Sequence, residues 1–170
     1  MDSLTFLLQS AGLSDPASGE QFASEWSTRR IEKGAHIIRQ GEPETHEFIL
    51  LDGCSASRIY ASDGLEVCVE FHVGPSVLTP NIARTRDGLS IVEVEAITDA
   101  TIAMMDKDKL SNLMLASEPV RDWANSVLRK ELSRKADREW CLAALGGSDR
   151  LAWFREKRGG PDFSTSFPPG

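Results

Sequence analysis

Ser57-Arg58-Ile59-Tyr60-Ala61-Ser62-Asp63-Gly64-Leu65-Glu66-Val67-Cys68-Val69-Glu70-Phe71-His72 is the stretch on which the fold class turns. Asp63-Gly64 at its centre accepts the positive φ that a tight hairpin demands, so Ser57 to Ala61 and Leu65 to His72 read as two antiparallel strands. In the second strand Leu65, Val67, Val69 and Phe71 alternate with Glu66, Cys68, Glu70 and His72. That period of two gives one face to a core and the other to solvent or a second layer. Cys68, Glu70 and His72 share a face, but their spacing reads as the mixed outer surface of a strand before it reads as a metal site, and no metal is expected.

The same punctuation extends in both directions. Gly34, Gly41, Gly53, Gly64, Gly74 and Gly88 recur between short segments rich in Ile, Val and Leu from Thr28 to Met105. Many short strands joined by tight turns make a sandwich or a barrel. Ser90 to Ala96 is a second alternating strand, with Ser90, Val92, Val94 and Ala96 on one face and Ile91, Glu93 and Glu95 on the other. Between these strands, Gly74 to Gly88 breaks the pattern with Pro75, Pro80 and the run Asn81-Ile82-Ala83-Arg84-Thr85-Arg86-Asp87. A loop or short helix inserted there is where binding residues tend to sit.

Helices flank this β region. Leu4, Leu7 and Leu8 make a short apolar stripe, and Asp15 before Pro16 gives an N-cap and a first-turn proline, with Phe22 and Trp26 beyond at helical spacing. Asp106 caps a helix to about Ala116. Glu118 and Pro119 open another that Gly146-Gly147 stops. At 1.5 Å per residue that second helix is ~42 Å long, more than a barrel of this size needs. Val120, Trp123, Ala124, Val127, Leu128, Leu132, Ala136, Trp140 and Ala143 form a drifting apolar stripe along it, so it packs along its length, either on its own barrel or, as length and stripe together favour, on a partner helix from a second subunit. Ser148 and Asp149 cap a last short helix, Arg150 to Arg158, and the remainder reads as a frayed tail.

Composition excludes several classes. With 41% hydrophobic and 26% charged residues, the chain is neither disordered nor fibrous. No apolar run reaches the ~18 residues of a membrane helix, and the start Met1-Asp2-Ser3 lacks the basic opening of a secretion signal, so a cytoplasmic protein without membrane partners is expected. Residues 1–117 carry 9 basic and 18 acidic side chains, and residues 118–170 carry 10 and 8. An acidic body repels phosphate backbones, which argues against a stand-alone nucleic-acid binder. Cys54, Cys68 and Cys141 are odd in number and lack C-x-x-C spacing, as reduced thiols do. No G-x-S-x-G, G-x-x-x-x-G-K-[ST] or H-E-x-x-H is present, so an enzyme is not expected.

Arg30-Ile31-Glu32-Lys33-Gly34-Ala35-His36-Ile37-Ile38-Arg39-Gln40-Gly41-Glu42, followed by Phe48-Ile49-Leu50-Leu51-Asp52-Gly53, resembles the opening strands of the cyclic-nucleotide-binding fold. The likeness is greatest to effector domains of the Crp/Fnr family of bacterial transcription regulators. The Asp63-Gly64 hairpin, Gly74, the Val94-Glu95-Ala96 strand and the long helix fall in that family's order, and the match runs over about residues 3–158. The resemblance implies a mainly β, α+β chain: a jelly-roll β-barrel with flanking helices, a small-molecule pocket inside it and a long dimerisation helix. The expected divisions are 1–117 for helices and barrel, 118–146 for the long helix, and 147–170 for a short helix and tail.

The resemblance also implies site residues. Nucleotide-binding members carry a Gly-Glu for the ribose hydroxyl and an arginine for the cyclic phosphate, and the aligned positions here are Leu78-Thr79 and Ser90. Two lost charge-assisted hydrogen bonds of ~1.5–3 kcal/mol each would cost ~10²–10⁴ in affinity, so the usual cyclic nucleotide binding is not expected. The effector of this chain is unknown, and its expected contacts are Thr79, Arg84, Arg86, Ser90 and Val92. Dimerisation falls to Trp123, Val127, Leu128, Leu132 and Trp140, giving a homodimer. No cysteine precedes Cys54, against the iron–sulfur cluster of some relatives, and haem would rest on a lone histidine, so no cofactor is expected. Family members continue from a helix like Arg150 to Arg158 into a winged helix-turn-helix. The expectation is a regulatory half that reaches DNA only through that missing C-terminal domain. The rival reading is a stand-alone dimeric interaction module whose barrel is filled by side chains and binds nothing.

Overall fold

The computed structural model describes residues 4–5, 8, 13, 15–78 and 85–158. Among them, the strands β1 (Ser27–Ile31), β2 (His36–Ile38), β3 (His46–Asp52), β4 (Cys54–Tyr60), β5 (Glu66–Val73), β6 (Ser76–Leu78), β7 (Glu93–Ala96) and β8 (Ala100–Asp106) form two antiparallel sheets. The first runs β1-β8-β3-β6 and the second β2-β7-β4-β5. The helices are α1 (Pro16–Ser24), α2 (Lys107–Ala116), α3 (Glu118–Ala144) and α4 (Gly147–Arg158). This is a jelly roll with flanking helices.

Local chemistry sets the boundaries. The β4–β5 hairpin closes with Gly64 at φ +88°, Ala61 N–H donating to Leu65 O at 2.9 Å and Leu65 N–H donating to Asp63 Oδ1 at 3.0 Å. Asp15 caps α1 by accepting from Ser18 N at 3.0 Å, and Asp106 caps α2 by accepting from Asp108 N and Lys109 N at 2.9 Å. Trp26 follows α1 rather than extending it, because the helix ends at Ser24.

The central strands β3 and β8 are buried on both faces. Phe48, Leu50, Ala100 and Ile102 meet Ile38, Val94 and Ala96 of the opposite sheet in one core. Ile49, Leu51, Ala103 and Met105 point the other way, into a second core with Leu4, Leu8, Leu13, Phe22, Val120, Trp123, Ala124 and Val127. Each large side chain so buried contributes ~1.5–3 kcal/mol. Phe22, Trp26 and Trp123 meet edge to face, with ring centroids 5.2 Å apart for Phe22–Trp123 and 6.4 Å for Trp26–Trp123.

Strand β5 corrects the expectation for its outer face. His72 is 1% exposed, whereas Leu65, Val67 and Val73 are exposed. Its pairing with β4 shifts register between Ser57 and Arg58, where Val69 is skipped. Cys68 therefore lies opposite Arg58, while Glu70 and His72 lie opposite Ser57 and Ser55. The bulge breaks the alternation, and Cys68 and His72 no longer share one continuous face. Among the described residues no three His, Cys, Asp or Glu side chains are grouped to hold a metal.

The chain divides into two compact units, Met1–Leu128 and Arg129–Gly170. In the second, Cys141 is buried and Glu131 pairs with Arg134 one turn along α3. Among the described residues, no helix is long and apolar enough to cross a membrane.

Candidate functional site

Among the described residues, several polar side chains share the inward faces of the two sheets with the apolar core. In β4, Ser55 pairs with Ala96 and Ser57 with Val94, so both serines share the inward face of their core partners. Ser57 Oγ lies 2.9 Å from His72 Nε2, both groups being buried. From the first sheet, Ser76 pairs with Leu50, which puts it on the inward face as well. Between β5 and β6 the chain passes at Gly74, whose N–H donates to Gly53 O at 2.9 Å.

Two of these hydroxyls are orphans. Ser55 Oγ and Ser76 Oγ are buried and find no hydrogen-bond partner among the described residues. An unsatisfied buried polar group costs ~1–3 kcal/mol, a cost that a guest molecule or an ordered water removes. Sequence reasoning missed these inward hydroxyls. The available signal was the pair Ser55 and Ser57 at i, i+2, the spacing of one strand face.

The outer face of the second sheet is a ladder of charges instead. Arg58 Nε is 2.8 Å from Glu66 Oε1, and its Nη1 pairs with Glu95. His36 Nδ1 is 3.3 Å from Glu93 Oε1. Partly exposed pairs of this kind are worth ~0–1 kcal/mol each and describe a solvated surface.

Of the expected ligand contacts, Thr79 and Arg84 lie outside the described residues. Ser90 and Val92 are both buried, Val92 within the core between the sheets. Ser90 Oγ donates to Val92 O at 2.7 Å and accepts from Val92 N at 3.3 Å, so its single proton is committed to the backbone. Arg86 is exposed in a turn where Gly88 N–H donates to Thr85 O at 3.0 Å. The structure thus brings Ser90 and Val92 into the interior and leaves Arg86 on the surface.

The expected dimerisation residues divide in the same way. Trp123, at 3% exposed, and Val127 are covered within the chain by the helix-side core, so they have no apolar surface left to offer. Leu128 is half-buried, while Leu132 and Trp140 are 67% and 57% exposed. At 100° per residue, Leu128, Leu132, Ala136 and Trp140 lie on the side of α3 turned away from Trp123 and Val127.

Comparison with known proteins matches the sequence profile of the cyclic nucleotide-binding domain to residues 28–117. A search of curated protein sequences gave no significant match. Among solved structures, a cyclic nucleotide-binding domain from Methylobacillus flagellatus superposes with a TM-score of 0.70 at 11% identity, over 85% of this chain and 86% of that one. The c-di-GMP responsive global regulator CLP of Xanthomonas campestris gives 0.69 at 17% identity, over 92% and 78%. FixK2 from Bradyrhizobium japonicum gives 0.65 at 21% identity, over 78% of this chain and 65% of its own, so the chain spans just under two thirds of FixK2.

Proposed function

Because the chain belongs to the cyclic nucleotide-binding domain family, we propose that it is the small-molecule-sensing domain of a Crp/Fnr-type transcription regulator and that it does not bind cyclic nucleotide in the usual way. The observation that carries this reading is the jelly roll with the polar side chains Ser55, Ser57, His72 and Ser76 on the inward faces of its sheets. A barrel closed for stability alone gains nothing from unpaired hydroxyls in its interior. Support against a cyclic phosphate comes from Ser90, which stands at the position of the phosphate-pairing arginine and has already given its proton to Val92 O. CLP is a c-di-GMP responsive regulator, so ligands other than cyclic mononucleotides are within reach of the fold.

In this reading α3 pairs with its copy in a second subunit through Leu128, Leu132 and Trp140, and occupancy of the barrel alters how the paired helices present a DNA reader. The exposure of Leu132 and Trp140 on one side of a 27-residue helix supports that pairing.

Calorimetric titration with cyclic AMP and cyclic GMP tests the ligand part. The expected result is no binding tighter than ~10 μM, which is roughly −7 kcal/mol. Tighter binding would mean that the cassette alignment behind Thr79 and Ser90 is wrong. If that binding survived Arg84→Ala with Arg86→Ala, neither arginine would take part in it.

A further inference from the structure

Resting on the reading above, in which the helices present a DNA reader, we infer that Arg150 is a latch between α3 and α4. Its guanidinium, and not the glycine pair before it, keeps the two helices separate and sets the direction in which the chain leaves α3. The first helix ends at Ala144 and the second begins at Gly147, with Leu145 and Gly146 between them. Glycine ordinarily stops a helix by taking the left-handed conformation that other residues avoid. Turn glycines of the barrel do take it, Gly53 at φ +91° and Gly64 at +88°. Gly146 and Gly147 do not: neither has a positive φ, and a Cβ on either would meet nothing within 4 Å. Neither stereochemistry nor space requires glycine at this break.

Hydrogen bonds across the break point to Arg150 instead. Leu145 N–H donates to Cys141 O at 3.1 Å, which carries the pattern of α3 one residue past Ala144. To run on, the helix would need Leu142 O to accept from Gly146 N–H and Leu145 O to accept from Asp149 N–H. Arg150 takes both acceptors: its Nη2 donates to Leu142 O and its Nε to Leu145 O, each at 2.8 Å. Its own N–H donates to Gly146 O at 2.9 Å, within the first turn of α4. One residue thus closes α3 with its side chain and opens α4 with its backbone. A cation at this end of a helix also meets the negative end of the helix dipole. Arg150 is exposed, so water competes for its protons and the latch is one that opens. Once it is open, the conformational freedom of two glycines leaves the helices able to merge or to swing.

The latch is read as a distance. Nitroxides attached to p-acetylphenylalanine at the exposed positions Ser133 and Ala152 leave Cys54, Cys68 and Cys141 unmodified. The labelled full chain is diluted into unlabelled chain, so that pulsed electron paramagnetic resonance reports distances within one molecule. The parent is expected to give one narrow distribution. Arg150→Ala is expected to broaden it and shift it toward ~28 Å, the span of unbroken helix between those positions. Arg150→Met, which keeps the side chain long but removes its fork, is expected to do the same. Gly146→Ala with Gly147→Ala is expected to keep the parental distribution while Arg150 is present and, with Arg150→Ala added, to centre it near ~28 Å. The barrel's thermal midpoint is expected to stay at the parental value throughout, which separates a lost latch from a lost fold. A distribution indifferent to both changes at Arg150, or one that the alanine pair moves by itself, overturns the inference. Failure of the reading on which it rests, by a monomeric parent or by tight cyclic AMP binding, is scored without these labels, so the two failures are told apart.

Discussion

Gly53 and Gly34 hold similar backbone conformations, φ +91° and +82°, yet their surroundings differ. A Cβ at Gly53 would sit 2.5 Å from Asp99 O and 2.9 Å from Ala100 Cα, whereas one at Gly34 would meet nothing within 4 Å. At Gly34 alanine costs only the left-handed conformation, ~1–2 kcal/mol. At Gly53 the backbone of the β7–β8 turn must also move, adding ~1–3 kcal/mol of overpacking. Urea denaturation is therefore expected to show Gly53→Ala about 2–5 kcal/mol less stable than the parent, and Gly34→Ala only about 1–2 kcal/mol less stable. Both glycines are visible in the sequence as turn punctuation. Which of them is hemmed in is not, because the obstruction comes from Asp99 and Ala100, more than forty residues further along the chain.

Elements whose ends are fixed by neighbouring residues could be read directly: the Asp63-Gly64 hairpin, the Asp15 and Asp106 caps, and α2 ending at Ala116. One such cap gives a pH dependence. The Asp106 carboxyl is held below its ordinary value, chiefly by the N–H of Lys109, with desolvation opposing and the N–H of Asp108 and the nearby His46 and Lys107 adding to the lowering. Between its folded and unfolded pKa values the native chain binds fewer protons, so stability rises with pH there. The contribution is complete above the unfolded value and disappears as pH falls through the folded one. Asp106→Asn keeps a capping oxygen but removes this titration. Its unfolding midpoint is expected to fall less steeply than the parent's as the pH is lowered below about 4, measured by urea titration at stepped pH. The faces of β5 were not legible in this way. Alternation separates two sets of residues without saying which is inside, and the skipped Val69 reverses the pattern part-way along the strand.

For the whole molecule, the two-sheet architecture followed from glycine spacing and alternation, while the assignment of α3's apolar residues did not. The helix is apolar on more than one side, and only packing separates Trp123 and Val127, already covered within the chain, from exposed Leu132 and Trp140. A dimer test must therefore avoid the first pair. Leu132→Glu with Trp140→Glu is expected to leave the barrel's unfolding transition in place and yield monomers in light scattering, against a dimer for the parent at micromolar concentration. A monomeric parent would refute the pairing. The inward polar groups escaped the sequence because the faces of Ser55, His72 and Ser76 are set by strand pairings that only the folded sheets make. The two-faced strand β3 has its own consequence. It is a partition one residue thick: Leu50 belongs to the chamber between the sheets, and its neighbours Ile49 and Leu51 to the bed on which Trp123 rests. Close-packed interiors transmit strain rather than absorb it. A change of side-chain volume on either side of the partition is therefore felt on the other: enlarging Leu50 disturbs the seat of Trp123, and a disturbance of that seat returns to Leu50 through the same strand.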